Sequence, residues 1–332
     1  MRWTLVTGAS GFVGSRLVRA LVDRGEAVKA FVHAGSSLSS FEGLPRDRFE
    51  LAFGDVRVEH TVYRALASCE RLYHVAASEE ASSPPGSPAP SESPAVTRAV
   101  LGAARKRRLR RVVLTRSAAA LVGTEAAEPL TEDGLDARGA DLDAGVPLVT
   151  VLPACAIGPG DRRPACLSAL IARYLRLPPS ARVPLAPGGV SVVDVDDVLE
   201  GTMLAMQRGQ PGERYLLGGE NLNYEQLFTL LHGLTGLARP GRVQRKPALG
   251  VHAAWLGIKA TLQGDEPLLT ARLLRDYSEK YVFVSSAKAQ RELGYSFRQA
   301  REALARAVLW FLEQGYVPEH AARRVRLELR PA

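Results

Sequence analysis

Three glycines recur at a spacing of three in Thr7-Gly8-Ala9-Ser10-Gly11-Phe12-Val13-Gly14, between an apolar run and an amphipathic one. At a strand-to-helix turn this spacing has a definite chemistry. Gly8 permits the tight turn, Gly11 lets the backbone approach a pyrophosphate, and Gly14 lets the helix pack closely on the strand. The free N–H groups that open the helix then face the phosphates. Glycine turns also occur without ligands; the strand–turn–helix register is what favours a dinucleotide here.

Other residues able to do chemistry are scattered. Ser117 ends the apolar run Val113-Leu114-Thr115-Arg116-Ser117 and has no evident histidine partner for nucleophilic work. His33, His60, His74, His232, His252 and His320 show no metal-ligand spacing, so no metal is expected. Cys69, Cys155 and Cys166 form neither a metal pattern nor an even framework, and three plain thiols fit a reducing cytoplasm. The formal net charge is +8, and much of the excess sits in Arg105-Lys106-Arg107-Arg108-Leu109-Arg110-Arg111. Without interleaved aromatics that run reads as a solvated helix end complementing its dipole, rather than a nucleic-acid patch.

The elements that must position these groups follow from periodicity. Thr4–Thr7, Ala27–Val32, Phe49–Phe53, Leu72–Val75, Arg111–Thr115 and Val146–Leu152 are predicted strands. Phe12–Arg24 is a predicted helix with apolar Val13, Leu17, Ala20 and Leu21, closed by Gly25. Strands alternating with helices imply a parallel sheet covered on both faces, with right-handed crossovers. Ser78–Pro94 is rich in Ser, Pro, Glu and Ala and reads as a mobile loop; Gly123–Gly145 reads as an acidic, solvated one. The second half is more helical, with predicted helices over Cys166–Leu175, Val198–Arg208, Tyr224–Thr235, Val251–Leu262, Ala287–Leu293 and Phe297–Glu313. Val251–Leu262, with Trp255 and Lys259, reads as a core helix, the alternatives being the wall of a greasy pocket or a membrane contact. No run of about 18 apolar residues is present, so no membrane span is expected. Met1-Arg2 leads straight into a strand and does not read as a signal peptide.

With these landmarks the chain resembles the extended short-chain dehydrogenase/reductase superfamily, in its NAD-dependent epimerase/dehydratase family. Within that family it resembles the dihydroflavonol-4-reductase-like branch, which includes hopanoid-associated sugar epimerases. Beside the glycine turn, Phe53-Gly54-Asp55-Val56 is similar to the family's adenine-contacting turn, and Tyr73-His74-Val75-Ala76-Ala77 to its strand-four turn. Val113–Ser117 resembles the strand-five end that carries the active-site serine. Leu152-Pro153-Ala154-Cys155-Ala156-Ile157-Gly158-Pro159-Gly160-Asp161 resembles the proline turn and Gly-Pro-Gly signature. Val193–Val198 and Gly212–Gly219 resemble later landmarks.

The resemblance implies an α/β Rossmann fold, a doubly wound parallel sheet with a smaller, mostly helical C-terminal lobe. Residues 1–157 plus about 190–222 would form the NAD(P)-binding domain, 158–189 plus about 223–320 the substrate lobe, and 321–332 a basic tail. It also implies cofactor contacts from Gly8, Ser10, Gly11, Phe12, Val13, Gly14, His33, Asp55, Val56, Ala76, Ala77, Thr115, Pro153 and Cys155. Ser117 would hydrogen-bond the carbonyl of a small carbonyl or sugar-like substrate. At the ribose, an acid ending strand two favours NAD and a base favours NADP. The chain offers Lys29, His33 and Ser36-Ser37, with no acid from 27 to 41, which leans to NADP. His33 stands where the family often has arginine, and equally fits a plain surface histidine.

One departure is large. The family pairs its serine with a tyrosine and a lysine four residues apart, so that the ammonium lowers the phenol pKa and both groups share a helix face. Here no tyrosine lies between Tyr73 and Tyr174, and no lysine between Lys106 and Lys246. The stretch after Ser117 is about 20 residues shorter than in such relatives. The expectation is therefore an NAD(P)-binding protein that is weakly active or non-catalytic, a sensor or a partner subunit. The alternative is an NADP-dependent oxidoreductase or epimerase using Ser117 and a substitute donor, to be sought among Glu128, Glu132, Asp133, Asp136 and Tyr174. The family's dimer pairs two helices per subunit, one of them in the shortened stretch, so a monomer or an atypical dimer is expected.

Overall fold

The computed structural model describes residues 2–75, 94–118, 127–135, 145–244, 250 and 278–326. The short β-branched and apolar runs of the first half become β1 (Trp3–Thr7), β2 (Ala27–Val32), β3 (Phe49–Phe53), β4 (Cys69–Val75), β5 (Arg111–Thr115) and β6 (Leu148–Pro153). They pair in parallel in the order β3-β2-β1-β4-β5-β6. A seventh strand, Arg214–Leu217, arrives from far down the chain and pairs in parallel with β6. The order reverses between β1 and β4, which opens a crevice above the strand C-termini.

Alternation of side chains feeds two hydrophobic layers. Val6, Ala30, Tyr73, Val113 and Val151 face α1 (Phe12–Asp23) and the helix Val195–Arg208. Leu5, Phe31, Leu72, Val112 and Leu114 face α2 (Glu59–Ala65) and α3 (Pro94–Lys106). The second lobe contains β7 (Cys155–Ile157), α4 (Cys166–Tyr174), β8 (Arg182–Leu185) and β9 (Gly188–Asp194). The chain then returns to the sheet with α5 (Val195–Arg208) and β10 (Arg214–Leu217) before completing that lobe. Completion comes through β11 (Glu220–Asn223), α6 (Tyr224–Thr235), β12 (Arg239–Val243), β13 (Lys280–Val282), α7 (Ala287–Leu293) and α8 (Ala300–Glu313). β9 is the hub, paired with β7, β11 and β13. Tyr174, Leu185, Leu227, Leu304 and Phe311 fill the lobe's own core.

Several expectations shift. α5 begins three residues earlier than its periodicity suggests, because the fully buried Asp194 caps it by accepting the Asp196 N–H at 2.8 Å. α8 begins three residues later, with Gln299 as its N-cap. The stretch read as a solvated acidic loop is in part built into the fold. Leu130 pairs with Val284, and the Glu132 carboxylate is buried, accepting the Leu216 N–H at 2.8 Å. It thereby satisfies a main-chain donor on the outer edge of β10. The helix expected at Val251–Leu262 lies outside the described residues, as does all of the loop expected at Ser78–Pro94 except Pro94, which opens α3. The basic run is tied to the framework. Lys106 pairs with Glu59 at 2.6 Å, Arg107 stacks on Tyr63 and donates to its carbonyl at 2.9 Å, and Arg111 donates to the Met206 carbonyl at 2.9 Å. No helix among the described residues is long and apolar enough to cross a membrane.

Candidate functional site

The glycine turn joins β1 to α1 at the C-terminal edge of the sheet. Gly8 has φ +66°, and a Cβ there would stand 2.1 Å from the Val75 carbonyl oxygen, so both conformation and space demand glycine. A Cβ on Gly14 would stand 2.1 Å from the Gly8 carbonyl oxygen, so this glycine lets the helix close on its own turn. Gly11 differs: an added Cβ would meet only the Gly8 oxygen, at 3.3 Å. The Gly11 N–H closes the turn on Gly8 O at 3.0 Å. Gly11, the N-cap of α1, offers no side chain to its helix, and no acid stands in the first turn, which suits these N–H groups to an external anion. These residues fit a dinucleotide diphosphate, with Ser10 exposed and Phe12 and Val13 half-buried at the helix start.

The other strand ends converge on the same crevice. Thr115 closes β5 with its hydroxyl buried and unpartnered, and Ser117 follows, half-buried. The next residue, Ala118, packs with Leu152 and Ala154 of the proline turn, and Val13 of α1 lies against that cluster. The glycine turn, the family serine position and the proline turn are thus brought together. Pro153 ends β6, and the Ala154 N–H donates to Leu217 O at 3.1 Å. The Cys155 side chain turns away into the core of the second lobe, where burial pushes its thiol up to about 12. His74, beside Thr7 in the sheet, is fully enclosed. Its Nδ1 lies 2.7 Å from the Thr7 hydroxyl, its Nε2 has no partner, and burial pushes its pKa down to about 4. Ala76 and Ala77 lie outside the described residues.

On the adenosine side, His33 leaves β2 exposed, its Nδ1 accepting the Gly35 N–H at 3.3 Å. Asp55 is already engaged: the Arg57 guanidinium and N–H both donate to it and hold its carboxyl below the usual range. Val56 packs on the cluster of α2 and α3. Lys29 does not reach this side. Its ammonium donates to the Ala67 carbonyl at 3.2 Å, pairs with Glu50 at 3.5 Å and lies over the Trp3 ring, all toward the strand N-termini. The expectation that Lys29 helps to read the ribose therefore fails; three positions before the strand end, its side chain is held by the opposite edge.

Among the candidate substitute acids, Tyr174 is fully buried in the second lobe and donates to the Ala238 carbonyl at 2.9 Å. Glu132 serves β10, and burial raises its pKa. Glu128 and Asp133 are exposed, and Asp136 lies outside the described residues. Two features escape sequence reading because their partners are remote. Arg162, just after the Gly-Pro-Gly signature, donates to the Ser39 hydroxyl. Arg16 of α1 and Arg306 of α8 both hold Asp196, while Arg298 and Arg306 hold Asp194 at 2.7 and 2.9 Å.

A doubly wound sheet with an open glycine cradle at its switch point, completed by a strand from beyond a second lobe, defines a nucleotide-binding α/β protein of the epimerase class. The chain belongs to the NAD dependent epimerase/dehydratase family, whose model matches residues 4–218. It is 34% identical over 337 residues to sterol demethylase protein B of Methylococcus capsulatus, covering 95% of this chain and 99% of that one. It is 27% identical to the 4-hydroxy-2-methyl-3-oxo-4-farnesyl-3,4-dihydroquinoline-1-oxide ketoreductase of Stigmatella aurantiaca, covering 92% and 96%. The crystal structure of gox2253 superposes with a TM-score of 0.76 at 30% identity, covering 96% of this chain and all of that one.

Proposed function

We propose that this protein binds NADP(H), in preference to NAD(H), in the crevice above the strand C-termini, and that it is weakly active or non-catalytic, acting as a sensor or partner subunit. The observation that carries this reading is the missing acid/base pair: between Tyr73 and Tyr174 there is no tyrosine, and between Lys106 and Lys246 no lysine. The glycine cradle supports the binding half. The engagement of Tyr174 and Glu132 elsewhere supports the other half, since neither is available as a replacement donor. A positioned proton donor contributes about 10²–10⁴-fold, roughly 3–5 kcal/mol of barrier. A site that retains only Ser117 polarises a carbonyl without supplying its proton.

Calorimetric titration with NADPH and NADH, followed by NADPH absorbance against ketones, aldehydes and nucleotide-sugar intermediates, tests both halves. Binding without oxidation is the expected result. Turnover in the usual enzyme range of about 1–10³ per second would refute the non-catalytic half. A second reading is an NADP-dependent reductase using Ser117 and an unidentified donor. Its support is the end-to-end likeness to proteins named for a sterol and for a farnesylated ring ketone, which makes lipophilic ring carbonyls the first members of the panel.

A further inference from the structure

The loop that leaves β2 is rich in hydroxyls and poor in charge. From Ala27 to Phe41 it contains Ser36, Ser37, Ser39 and Ser40, no acid, and only Lys29 and His33 as basic residues. Lys29 is committed to the opposite edge of the sheet. The turn itself is ordered: Ser36 N–H donates to His33 O at 2.9 Å, and the Ser37 and Ser39 hydroxyls lie 3.0 Å apart. Arg19 of α1 ties the far side of the loop, donating to the carbonyls of Ser40 at 2.7 Å and Glu42 at 3.0 Å. The nearby Arg57 is committed to Asp55.

Among the described residues a further cation reaches this loop, from the segment that follows the Gly-Pro-Gly signature. Arg162 is exposed, and its guanidinium donates to the Ser39 hydroxyl, which in turn contacts Ser37. Its backbone is held in place. The Arg162 N–H closes on Gly160 O at 2.9 Å, and the Tyr316 hydroxyl donates to the Arg162 carbonyl at 2.7 Å. A guanidinium on a pinned backbone, laid against the Ser39 hydroxyl with the Ser37 hydroxyl beside it, is a donor set for a phosphate dianion.

We propose that Arg162 is the specificity-determining cation for a 2′-phosphate on the adenosine ribose, supplied from the segment after the Gly-Pro-Gly signature to a serine-lined loop that has no arginine of its own. The inference rests on the dinucleotide reading above. The neutral hydroxyls receive phosphate oxygens, the guanidinium supplies the charge, and in the absence of that phosphate Arg162 rests on Ser39. Because the cation belongs to the segment after the Gly-Pro-Gly turn, NADP(H) would bridge that segment to the β2 loop, whereas NAD(H) would not.

The test compares wild type, Arg162→Gln and Arg162→Lys by titration with NADPH, NADH, adenosine 2′,5′-bisphosphate and adenosine 5′-monophosphate. Arg162→Gln is expected to weaken NADPH and the bisphosphate on the order of tenfold to a hundredfold, to leave NADH and the monophosphate unchanged, and to be partly rescued by Arg162→Lys. Equal loss for phosphorylated and unphosphorylated ligands, or an unchanged NADPH/NADH ratio, overturns the assignment while leaving dinucleotide binding intact. Failure of the wild type to bind either dinucleotide overturns both.

Discussion

A methyl group added at Gly11 and one added at Gly14 meet different fates, and the difference separates binding from folding. Gly14→Ala drives a Cβ to 2.1 Å from the Gly8 carbonyl oxygen, so backbone must move; a loss of at least about 2 kcal/mol in denaturant unfolding is expected. Gly11→Val places a Cβ 3.3 Å from the Gly8 carbonyl oxygen, a tight contact that a small shift relieves. It is expected to leave the melting temperature close to wild type while abolishing dinucleotide binding in calorimetry; equal affinity would remove the turn from the site. Ser117→Ala is expected to leave any biological activity largely intact, whereas a turnover lost on this change would restore Ser117 as a catalytic residue. His74 carries a pH signature. Burial depresses its pKa to about 4, while the unfolded chain takes up that proton near 6.5. The unfolded state thus binds more protons between these values. Stability is full above about pH 6.5 and falls by about 3 kcal/mol as the pH drops toward 4. Denaturant unfolding at pH 7 and pH 4.5 should show a shallower loss in His74→Asn than in wild type.

At the scale of elements, the test is Asp194. It caps α5 and receives Arg298 and Arg306 from the segment that opens α8 and from α8 itself, with no exposure to solvent. Asp194→Ala removes the α5 cap and one carboxylate from a network in which Arg298 keeps Asp197 and Arg306 keeps Asp196, and should cost about 1–3 kcal/mol, read as a fall in the denaturation midpoint. The same residue shows where the sequence stops being legible. Strands such as Ala27–Val32 and Phe49–Phe53 announce themselves because their apolar runs are bounded by turn residues, and Tyr224–Thr235 because Asn223 and Gln226 form a capping box before an apolar face. The first turn of α5 is acidic, and its cap acts through arginines about a hundred residues away. β10 is a four-residue run, Arg-Tyr-Leu-Leu, too short to declare a strand. Glu132 reads as a loop acid until Leu216, its partner, is folded against it. At the site, the glycine cradle was legible because its spacing is local. The orientation of Lys29 and the reach of Arg162 were not, because each depends on an edge of the fold that no neighbouring residue encodes.

At the scale of the whole molecule, the stretch after Ser117 bears on assembly. α3 is present; from the missing tyrosine and lysine we propose that the helix that would pair beside it in a four-helix interface of the family type is shortened. The expected state is a monomer, or a dimer that does not use α3. Light scattering that returns a tight dimer, with cross-links formed between α3 helices, would refute this.

The return of the chain to its first sheet has a consequence for biosynthesis. β6 ends at Pro153, but the strand that covers its outer edge begins at Arg214, and α5, which lies over β5 and β6, comes between them. A nascent chain that has emerged only as far as the second lobe therefore carries a six-stranded sheet with a bare outer strand, and Val149 and Val151 lack the cover of Leu199 and Met203. Such an edge is a template for pairing with another chain. Synthesis paused between these points would leave a client for chaperones, and a fragment cut near Gly158 would aggregate rather than persist as a free nucleotide-binding module.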